Sequence, residues 1–131
     1  MPPIEPHGWK RGRGFSHGMS AAGHVVVTAG QVGWDPATEQ FESDDFARQT
    51  ERALQNVVDV LAAARARPEH LVRLTWYVTN RTEYVDARKE IGESYRRIVG
   101  PHYPAMTVVV VSGLLEPRAK VEIEATAVVP G

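Results

Sequence analysis

The sequence predicts an α+β fold in which a single sheet carries two helices on one face. Three observations support this fold: a long segment with helical periodicity and clear start and stop signals, two segments in which apolar and polar residues alternate, and an order in which strands precede, separate and follow the helices. The 131 residues fit one domain, 1–131, which begins with an irregular, proline-containing segment at 1–12.

The first half of the chain is predicted to form a short strand, a turn and the clearest helix. Residues 24–28 (HVVVT) are mostly β-branched and favour a strand, and residues 34–37 (WDPA) predict a turn. A helix opens at Ser43, whose hydroxyl can accept a hydrogen bond from a backbone N–H of the first turn, and Pro68 ends it. Helical spacing predicts that its inner side comprises Phe46, Thr50, Ala53, Leu54, Val57, Val58 and Leu61.

The next segments are predicted to form a strand and the second helix. Residues 71–79 (LVRLTWYVT) alternate, which predicts a strand. Its apolar face is formed by Val72, Leu74, Trp76 and Val78. Asn80 or Thr82 caps a helix that runs to about Val99 and ends before 100–101 (GP). The inner face of that helix is predicted to comprise Tyr84, Ala87, Ile91 and Tyr95.

Two further strands complete the sheet. Residues 107–111 (TVVVV) are apolar without alternation, so we expect burial on both faces. Residues 120–128 (KVEIEATAV) alternate, which directs Val121, Ile123, Ala125 and Ala127 toward a core. Because two helices cover only one face of a sheet, and the other face includes apolar runs such as 108–111, we expect another copy of the protein to cover that face.

Composition and charge exclude several classes of protein. The chain has no cysteine, so it forms no disulfide, thiolate zinc site or iron–sulfur cluster and has no cysteine nucleophile. Its 15 Lys+Arg and 16 Asp+Glu give a net charge of −1, which argues against a dedicated nucleic-acid binder. No apolar run approaches the roughly 20 residues that span a membrane, and the N-terminus lacks the apolar core of a secretory signal. We therefore expect a cytoplasmic protein.

Metal and phosphate sites are not indicated. The 5 histidines show no paired spacing of the kind that two ligands on one helix have. Residues 12–14 (GRG) lack the preceding strand and following helix of a phosphate-binding loop. The sequence therefore predicts no metal.

Several short motifs together resemble the RidA (YjgF-type) reactive-intermediate deaminase family. In chain order they are 14–19 (GFSHGM), 29–31 (AGQ), 53–57 (ALQNV), 72–78 (VRLTWYV), 102–105 (HYPA) and 120–125 (KVEIEA). The resemblance covers roughly residues 8–129. It implies a chorismate-mutase-like fold, and a homotrimer with sheets around a central barrel and clefts between subunits. It also implies hydrolysis of an enamine or imine to a carbonyl compound and ammonia, without metal or organic cofactor.

The sequence departs from this family at the site. Typical members have Pro-Ala-Arg, in which the arginine binds the substrate's α-carboxylate through two hydrogen bonds. This chain has Met106 there, which cannot hold a carboxylate. Ala29 stands where the family has serine, Phe15 where it has tyrosine, and Val108 where it often has cysteine. Gly30, whose N–H can face a substrate oxygen, and Glu122 match the family.

Glu122 is the candidate for catalysis. Enamine hydrolysis requires tautomerisation to an imine and then addition of water, and both steps move protons. A carboxylate partly withdrawn from solvent, with its pKa raised toward neutrality, is suited to that transfer. The resemblance places Glu122 at the position associated with the catalytic water. The alternative is a solvated residue on the outer face of a strand.

The candidates for substrate binding are drawn from the glycine-rich segments and their neighbours. His17 is either an acid–base or carboxylate-binding group or an exposed loop histidine. Arg11 and Arg13 could replace the missing arginine from another direction, or be solvated, and Arg73 and Arg88 are weaker candidates. The remaining candidates for the pocket are Phe15, Gly30, Gln31, Trp34 and Met106, with Tyr103 a further aromatic, whereas Trp76 belongs to the core.

Two functions from different classes follow. The first is cofactor-free hydrolytic deamination of an enamine or imine. Because Met106, Phe15 and Trp34 would make a less polar pocket, a conjugated aminomuconate-type substrate fits better than a small 2-iminoacid. The second is a non-catalytic binder or regulatory trimer that kept the cleft. Ribonuclease activity, a label often attached to this family, is disfavoured by the near-neutral charge.

Overall fold

A mixed five-stranded sheet forms the centre of the described chain, residues 3–131 of a computed structural model. Met1 and Pro2, which begin the predicted irregular segment, lie outside the described residues. The strands are β1 (His24–Val27), β2 (Gln31–Val32), β3 (Leu71–Val78), β4 (Ala105–Val110) and β5 (Val121–Val129). Their order is β1-β5-β3-β4, and β2 also pairs with β5. β5 is antiparallel to its neighbours, whereas β3 and β4 are parallel.

Three α-helices pack on one face of this sheet in the described residues. They are α1 (Phe46–Ala63), α2 (Arg81–Asp86) and α3 (Arg88–Ile98), with a short 3₁₀ helix at Pro68–His70. The predicted cap of α1, Ser43, lies two residues before the residue that caps the helix. Asp45 caps the helix by accepting a hydrogen bond from the Arg48 N–H at 3.1 Å, while Ser43 Oγ accepts one from the Asp45 N–H at 2.9 Å. Both side chains therefore order the entry to α1.

The second predicted helix is two helices. Of the two predicted caps, Asn80 and Thr82, Asn80 is the observed one, because its side chain accepts a hydrogen bond from the Glu83 N–H at 2.9 Å. The helix is interrupted at Ala87, whose ψ of 3° separates α2 from α3. Hydrogen bonds continue across the break, from the Ala87 N–H to Glu83 O and from the Ile91 N–H to Ala87 O. The predicted inner residues consequently still share one side, and Ala87, Ile91 and Tyr95 are buried.

The core lies between the helices and one face of β3 and β5. The alternation predicted for β5 is confirmed: Val121, Ile123, Ala125 and Ala127 are buried. Trp76 is 2% exposed, which confirms it as a core residue. The core is completed from β3 and α1 by Leu71, Leu74, Val78, Phe46, Ala53, Leu54, Val57 and Leu61.

Two predictions about burial are wrong. Val72 does not share the buried face of β3, because an irregularity between Leu71 and Arg73 shifts the pairing with β5 and puts Leu71 in the core instead. The β4 strand is not buried on both faces in the chain: it is the edge strand, and Val109 and Val110 are exposed. A continuous apolar run marks a central strand only where neighbours cover both faces and both edges.

The N-terminal segment runs beside the start of β4. Ser16 forms a parallel bridge with Ala105, its N–H donates to Pro104 O at 3.0 Å, and its hydroxyl donates to Tyr103 O. Ile4 pairs with Gly18, which folds the segment back on itself. These contacts place Phe15 beside β4. None of the helices in residues 3–131 has the length and apolarity needed to cross a membrane.

Candidate functional site

Glu122 and Gly30 lie in direct contact. Pairing of β2 with β5 sets Val32 opposite Glu122 and Gln31 opposite Ile123, so the Glu122 side chain extends over the chain just before β2. A Cβ added at Gly30 would stand 2.7 Å from Glu122 Cδ, well inside van der Waals contact. Only glycine leaves room for the carboxylate at this position. The structure thus brings together three of the predicted site residues, Glu122, Gly30 and Gln31.

The carboxylate of Glu122 is available, whereas its neighbour is occupied. Tyr77 lies opposite Glu122 in the pairing of β3 with β5, but its hydroxyl donates to Glu124 Oε1 at 2.7 Å. That hydrogen bond raises the pKa of Tyr77 above the usual value of a phenol. Among residues 3–131 Glu122 accepts no side-chain hydrogen bond and forms no salt bridge. Glu122 is therefore the free carboxylate of this face.

Helix α1 holds β2 and the following turn in place. The buried Asn56 side chain donates to Val32 O at 3.1 Å and to Trp34 O at 2.9 Å, and Arg52 Nε donates to Trp34 O at 3.2 Å. Trp34 also contacts Phe41, with ring centroids 5.7 Å apart. Trp34 is therefore part of the support for β2, and it does not line the same cavity as Phe15.

A second feature, which we call the aromatic cavity, lies between α2, α3 and β4. It has a volume of about 560 Å³. Met106 and Val108 reach it because they pair with Leu74 and Trp76, whose side chains lie on the helix-covered face of the sheet. The cavity is lined by Arg13, Gly14, Phe15, Trp76, Tyr84, Arg88, Ile91, Gly92, Tyr95, Arg96, Tyr103, Met106 and Val108.

Two tyrosines of the aromatic cavity, Tyr84 and Tyr95, have raised pKa values. Tyr95 stacks on Tyr103 with ring centroids 5.3 Å apart, and its hydroxyl donates to His102 O at 2.7 Å. Burial raises the pKa of Tyr95 far above its usual value, and burial also raises that of Tyr84, against an opposing effect of the nearby Arg88 charge. The cavity wall is consequently apolar and aromatic, with positive charge added by arginine.

The structure separates the other basic candidates. His17 is exposed and packs edge-on against Trp9 and Phe15, with Nε2 3.0 Å from Lys10 O, which fits a loop histidine that orders the N-terminal segment. Arg11 lines a smaller cleft beside that segment, and of the two arginines only Arg13 reaches the aromatic cavity.

The predicted site residues fall on opposite faces of the sheet. Glu122 and Gly30 lie on the face that the helices leave open, whereas Met106 and Phe15 lie at the cavity on the helix-covered side. One copy of the chain therefore does not bring Glu122 and Met106 together. Within residues 3–131 no cluster of three His, Asp or Glu side chains is placed to hold a metal ion.

Sequence reasoning missed Arg96 and gave Arg88 little weight. Both lie on α3, each four residues from Gly92, and steps of four residues follow one helix face. That spacing was visible in the sequence next to the apolar positions Ile91 and Tyr95. It could have indicated a helix face that combines an apolar row with a basic one.

Comparison with known proteins assigns the family. Residues 10–129 match the model of the Endoribonuclease L-PSP family. Protein DfrA of Myxococcus xanthus is 37% identical over 108 residues, which are 82% of this chain and 78% of that protein. The human 2-iminobutanoate/2-iminopropanoate deaminase is 26% identical over 104 residues, 79% of this chain and 72% of that one.

A solved structure matches the fold over almost the whole chain. The crystal structure of YyfB from Yersinia pestis, a protein of unknown function of the conserved Rid family, superimposes with a TM-score of 0.86 at 31% identity and covers 98% of both chains. Both the sequence motifs and the architecture thus extend over almost the entire length. The chain belongs to the Endoribonuclease L-PSP family of RidA/YjgF-type proteins, a family that includes imine deaminases.

Proposed function

We propose that this chain is a hydrolase that deaminates an imine or enamine without a cofactor, and that Glu122 transfers the protons. The observation that carries the proposal is the contact between the Glu122 carboxylate and Gly30 on an open face of the sheet. The carboxylate has no side-chain partner in the described residues, so it can accept a proton from water. Named imine deaminases among the relatives support the reaction class.

The reaction requires two proton transfers that one carboxylate can perform. An enamine first tautomerises to the imine. Water then adds to the imine carbon while Glu122 takes one proton from the water and passes it to nitrogen, which gives a carbinolamine. Glu122 next moves the hydroxyl proton of the carbinolamine to nitrogen as the C–N bond breaks. The products are a carbonyl compound and ammonia, so one water is consumed and no electron is transferred.

The complete site is proposed to form between subunits of a homotrimer. Glu122 and the aromatic cavity lie on opposite faces of one sheet, so a substrate in the cavity of one copy needs the Glu122 of another. Val109 and Val110 on the free edge strand, and Val25 and Val27 on β1, are exposed apolar residues that a second copy would cover. Clefts between subunits would then hold the reaction.

The substrate is proposed to be a conjugated, aminomuconate-type enamine. Met106 is half-buried in an aromatic wall and offers no donor to the α-carboxylate of a small 2-iminoacid. A flat, conjugated skeleton would instead gain from contact with Phe15, Tyr103 and Met106.

The proposal is tested by ammonia release. The imine or enamine is generated in the assay, and ammonia is followed against the rate of spontaneous hydrolysis. We expect acceleration by the wild-type protein and a loss of roughly a hundredfold or more in Glu122→Gln, the scale of general acid–base catalysis. Glu124→Gln is the matched control, because Glu124 lies on the same strand face but is engaged by Tyr77.

A rate no higher than spontaneous hydrolysis with both 2-iminoacids and aminomuconate-type enamines would reject the enzyme. It would favour the alternative of a trimer that binds a small molecule without turnover, for which the separation of Glu122 from the cavity in one chain is the supporting observation. Thermal stabilisation by a ligand without ammonia release would identify that alternative. Ribonuclease activity is checked in the same preparation by the survival of intact RNA.

A further inference from the structure

The aromatic cavity carries three arginines from two separate parts of the chain. Arg13 comes from the N-terminal segment, and Arg88 and Arg96 come from α3. All three are exposed, so they lie where the cavity opens to solvent. None of them forms a salt bridge with any of residues 3–131. The cavity opening therefore has positive charge that the described chain does not neutralise.

Four other arginines of the described residues, Arg52, Arg67, Arg97 and Arg118, form salt bridges, whereas Arg11, Arg48, Arg65, Arg73 and Arg81 form none. Arg97, the next residue on α3, forms a salt bridge with Glu51 at 3.0 Å on the far side of the helix. Arg118 pairs with Asp44 at 2.9 Å. The three arginines at the cavity are distinguished by lining one opening together, since the lack of a salt bridge is shared with Arg48 and Arg81 on the other helices.

The geometry of α3 brings two of these guanidinium groups toward one gap. Arg88, Gly92 and Arg96 are successive at four-residue spacing, so they form one row along the helix. Gly92 has no side chain, and an added Cβ there would meet Arg96 Nη1 at 3.6 Å. Arg96 is therefore folded back over Gly92 in the direction of Arg88. Two like charges that face a shared gap are stabilised by an anion between them.

The inner part of the cavity has the opposite character. Phe15, Tyr103 and Met106 make an apolar wall, and the tyrosines Tyr84 and Tyr95 are held neutral by burial. The volume of about 560 Å³ is that of a site for a small organic molecule. A ligand that satisfies both parts has a flat hydrocarbon body and a negative group at one end.

We propose that the aromatic cavity binds a planar, conjugated organic carboxylate, with its carboxylate between Arg88 and Arg96 and its body against Phe15, Tyr103 and Met106. Arg13 adds a third positive charge from the other side of the opening. Side chains of α3 thus bind the ligand's carboxylate, and Met106 contributes only an apolar surface. Binding of the anion stands without the proposed function, whereas its identification as the substrate's carboxylate rests on it.

The test uses trans-cinnamate and its uncharged analogue trans-cinnamamide, titrated calorimetrically into the intact protein. Neither probe has an imine, so binding is measured without turnover. We expect cinnamate to bind about tenfold or more tightly than cinnamamide, and Arg88→Gln and Arg96→Gln each to weaken cinnamate binding by about tenfold, the scale of a hydrogen bond to a charged group. Both variants should bind cinnamamide like the wild type.

Arg97→Gln is the matched control, because it removes a charge from the same helix on the side away from the cavity. It should change cinnamate binding by less than about twofold. Equal affinity for the two probes, no binding of cinnamate, or an equal loss in Arg97→Gln would each overturn the proposal. Cinnamate binding that follows this pattern in a protein that releases no ammonia would uphold the anion site and reject the deaminase. Ammonia release by a protein that does not bind cinnamate in this pattern would uphold the deaminase and reject the anion site.

Discussion

A side chain at residue 30 would collide with the carboxylate of Glu122, whereas the backbone conformation of Gly30 does not itself call for glycine. Its φ lies outside the left-handed region, so alanine is permitted by the backbone. The obstacle is the Glu122 carboxylate, which occupies the place of a Cβ. A substitution at residue 30 therefore displaces the proposed catalytic group while leaving it chemically intact.

Gly30→Ala is expected to reduce ammonia release nearly as strongly as Glu122→Gln, since a catalytic group displaced by about 1 Å costs on the order of a hundredfold in rate. The measurement is the rate of ammonia release, with unfolding followed in parallel. Gly113→Ala is the control, because nothing lies within 4 Å of a Cβ there and its φ is also ordinary. If Gly30→Ala retained full activity, the contact with Glu122 would have no part in the reaction.

Single residues of the candidate site could be predicted from the sequence, but which of them share a pocket could not. Glu122 and Gly30 were identified from the family motifs, because the strand alternation alone favoured a solvated Glu122, and the structure places the two residues in contact. Trp34 was predicted to share a pocket with Phe15, but the two are separated because Asn56 and Arg52 tie Trp34 to α1. That separation depends on which side chains meet across the fold, which local spacing does not reveal.

At the scale of elements, the sequence predicted the helices and strands with local signals and missed what depends on neighbours. Helix α1, the cap at Asn80 and the buried face of β5 follow from caps and periodicity. The burial of β4 on both faces was wrong because a strand's composition does not specify its place in the sheet, and β4 lies at the edge. The break at Ala87 carries neither proline nor glycine that could have predicted it.

Helix α3 offers a pair of glycines with opposite requirements. Gly92 lies inside the helix at an ordinary φ, and an added Cβ meets only Arg96 Nη1 at 3.6 Å. Gly92→Ala should therefore stabilise the protein by about 0.5–1 kcal/mol and raise Tm by roughly 2–4 °C. Gly100 follows α3 at a φ of 92°, so Gly100→Ala should destabilise it by about 1 kcal/mol.

Differential scanning calorimetry of both variants checks this pair. Comparison of the two variants separates helix propensity from backbone strain. The substitution is the same in both, but Gly92 lies inside α3 and Gly100 lies just after its end. A lower Tm in Gly92→Ala would contradict the ordinary helical geometry assigned to that residue.

At the scale of the whole molecule, the ionisation of tyrosines makes the free energy of unfolding depend on pH. Three of the 4 tyrosines have raised pKa values: Tyr77 through its hydrogen bond to Glu124, and Tyr84 and Tyr95 through burial. A phenol in the unfolded chain loses its proton at about pH 10. Above that pH the unfolded state binds fewer protons than the folded state, so the free energy of unfolding falls as pH rises.

Urea unfolding at pH 8, 9.5 and 11 should show this loss of stability, and absorbance near 295 nm should show tyrosinate forming later than in the unfolded protein. Tyr95→Phe is the control: it lowers stability at every pH, because His102 O loses its donor, but it should flatten the decline above pH 10. Stability that is unchanged to pH 11 would show that these phenols are not protected in the fold.

The assembly of copies is what would unite the two halves of the site, and it can be tested by complementation. Glu122→Gln removes the proton-transfer group on the open sheet face, whereas Met106→Trp fills the aromatic cavity on the other side. Each variant alone is expected to be inactive. In a mixed trimer a cleft is intact where a subunit with Glu122 meets a neighbour with an open cavity, so a randomly assembled equimolar mixture should recover about a quarter of the wild-type rate.

Subunits are exchanged by joint refolding, and light scattering verifies the trimer. Recovery of a quarter requires a site shared between copies, because a site contained within one chain would leave the mixture as inactive as its two components.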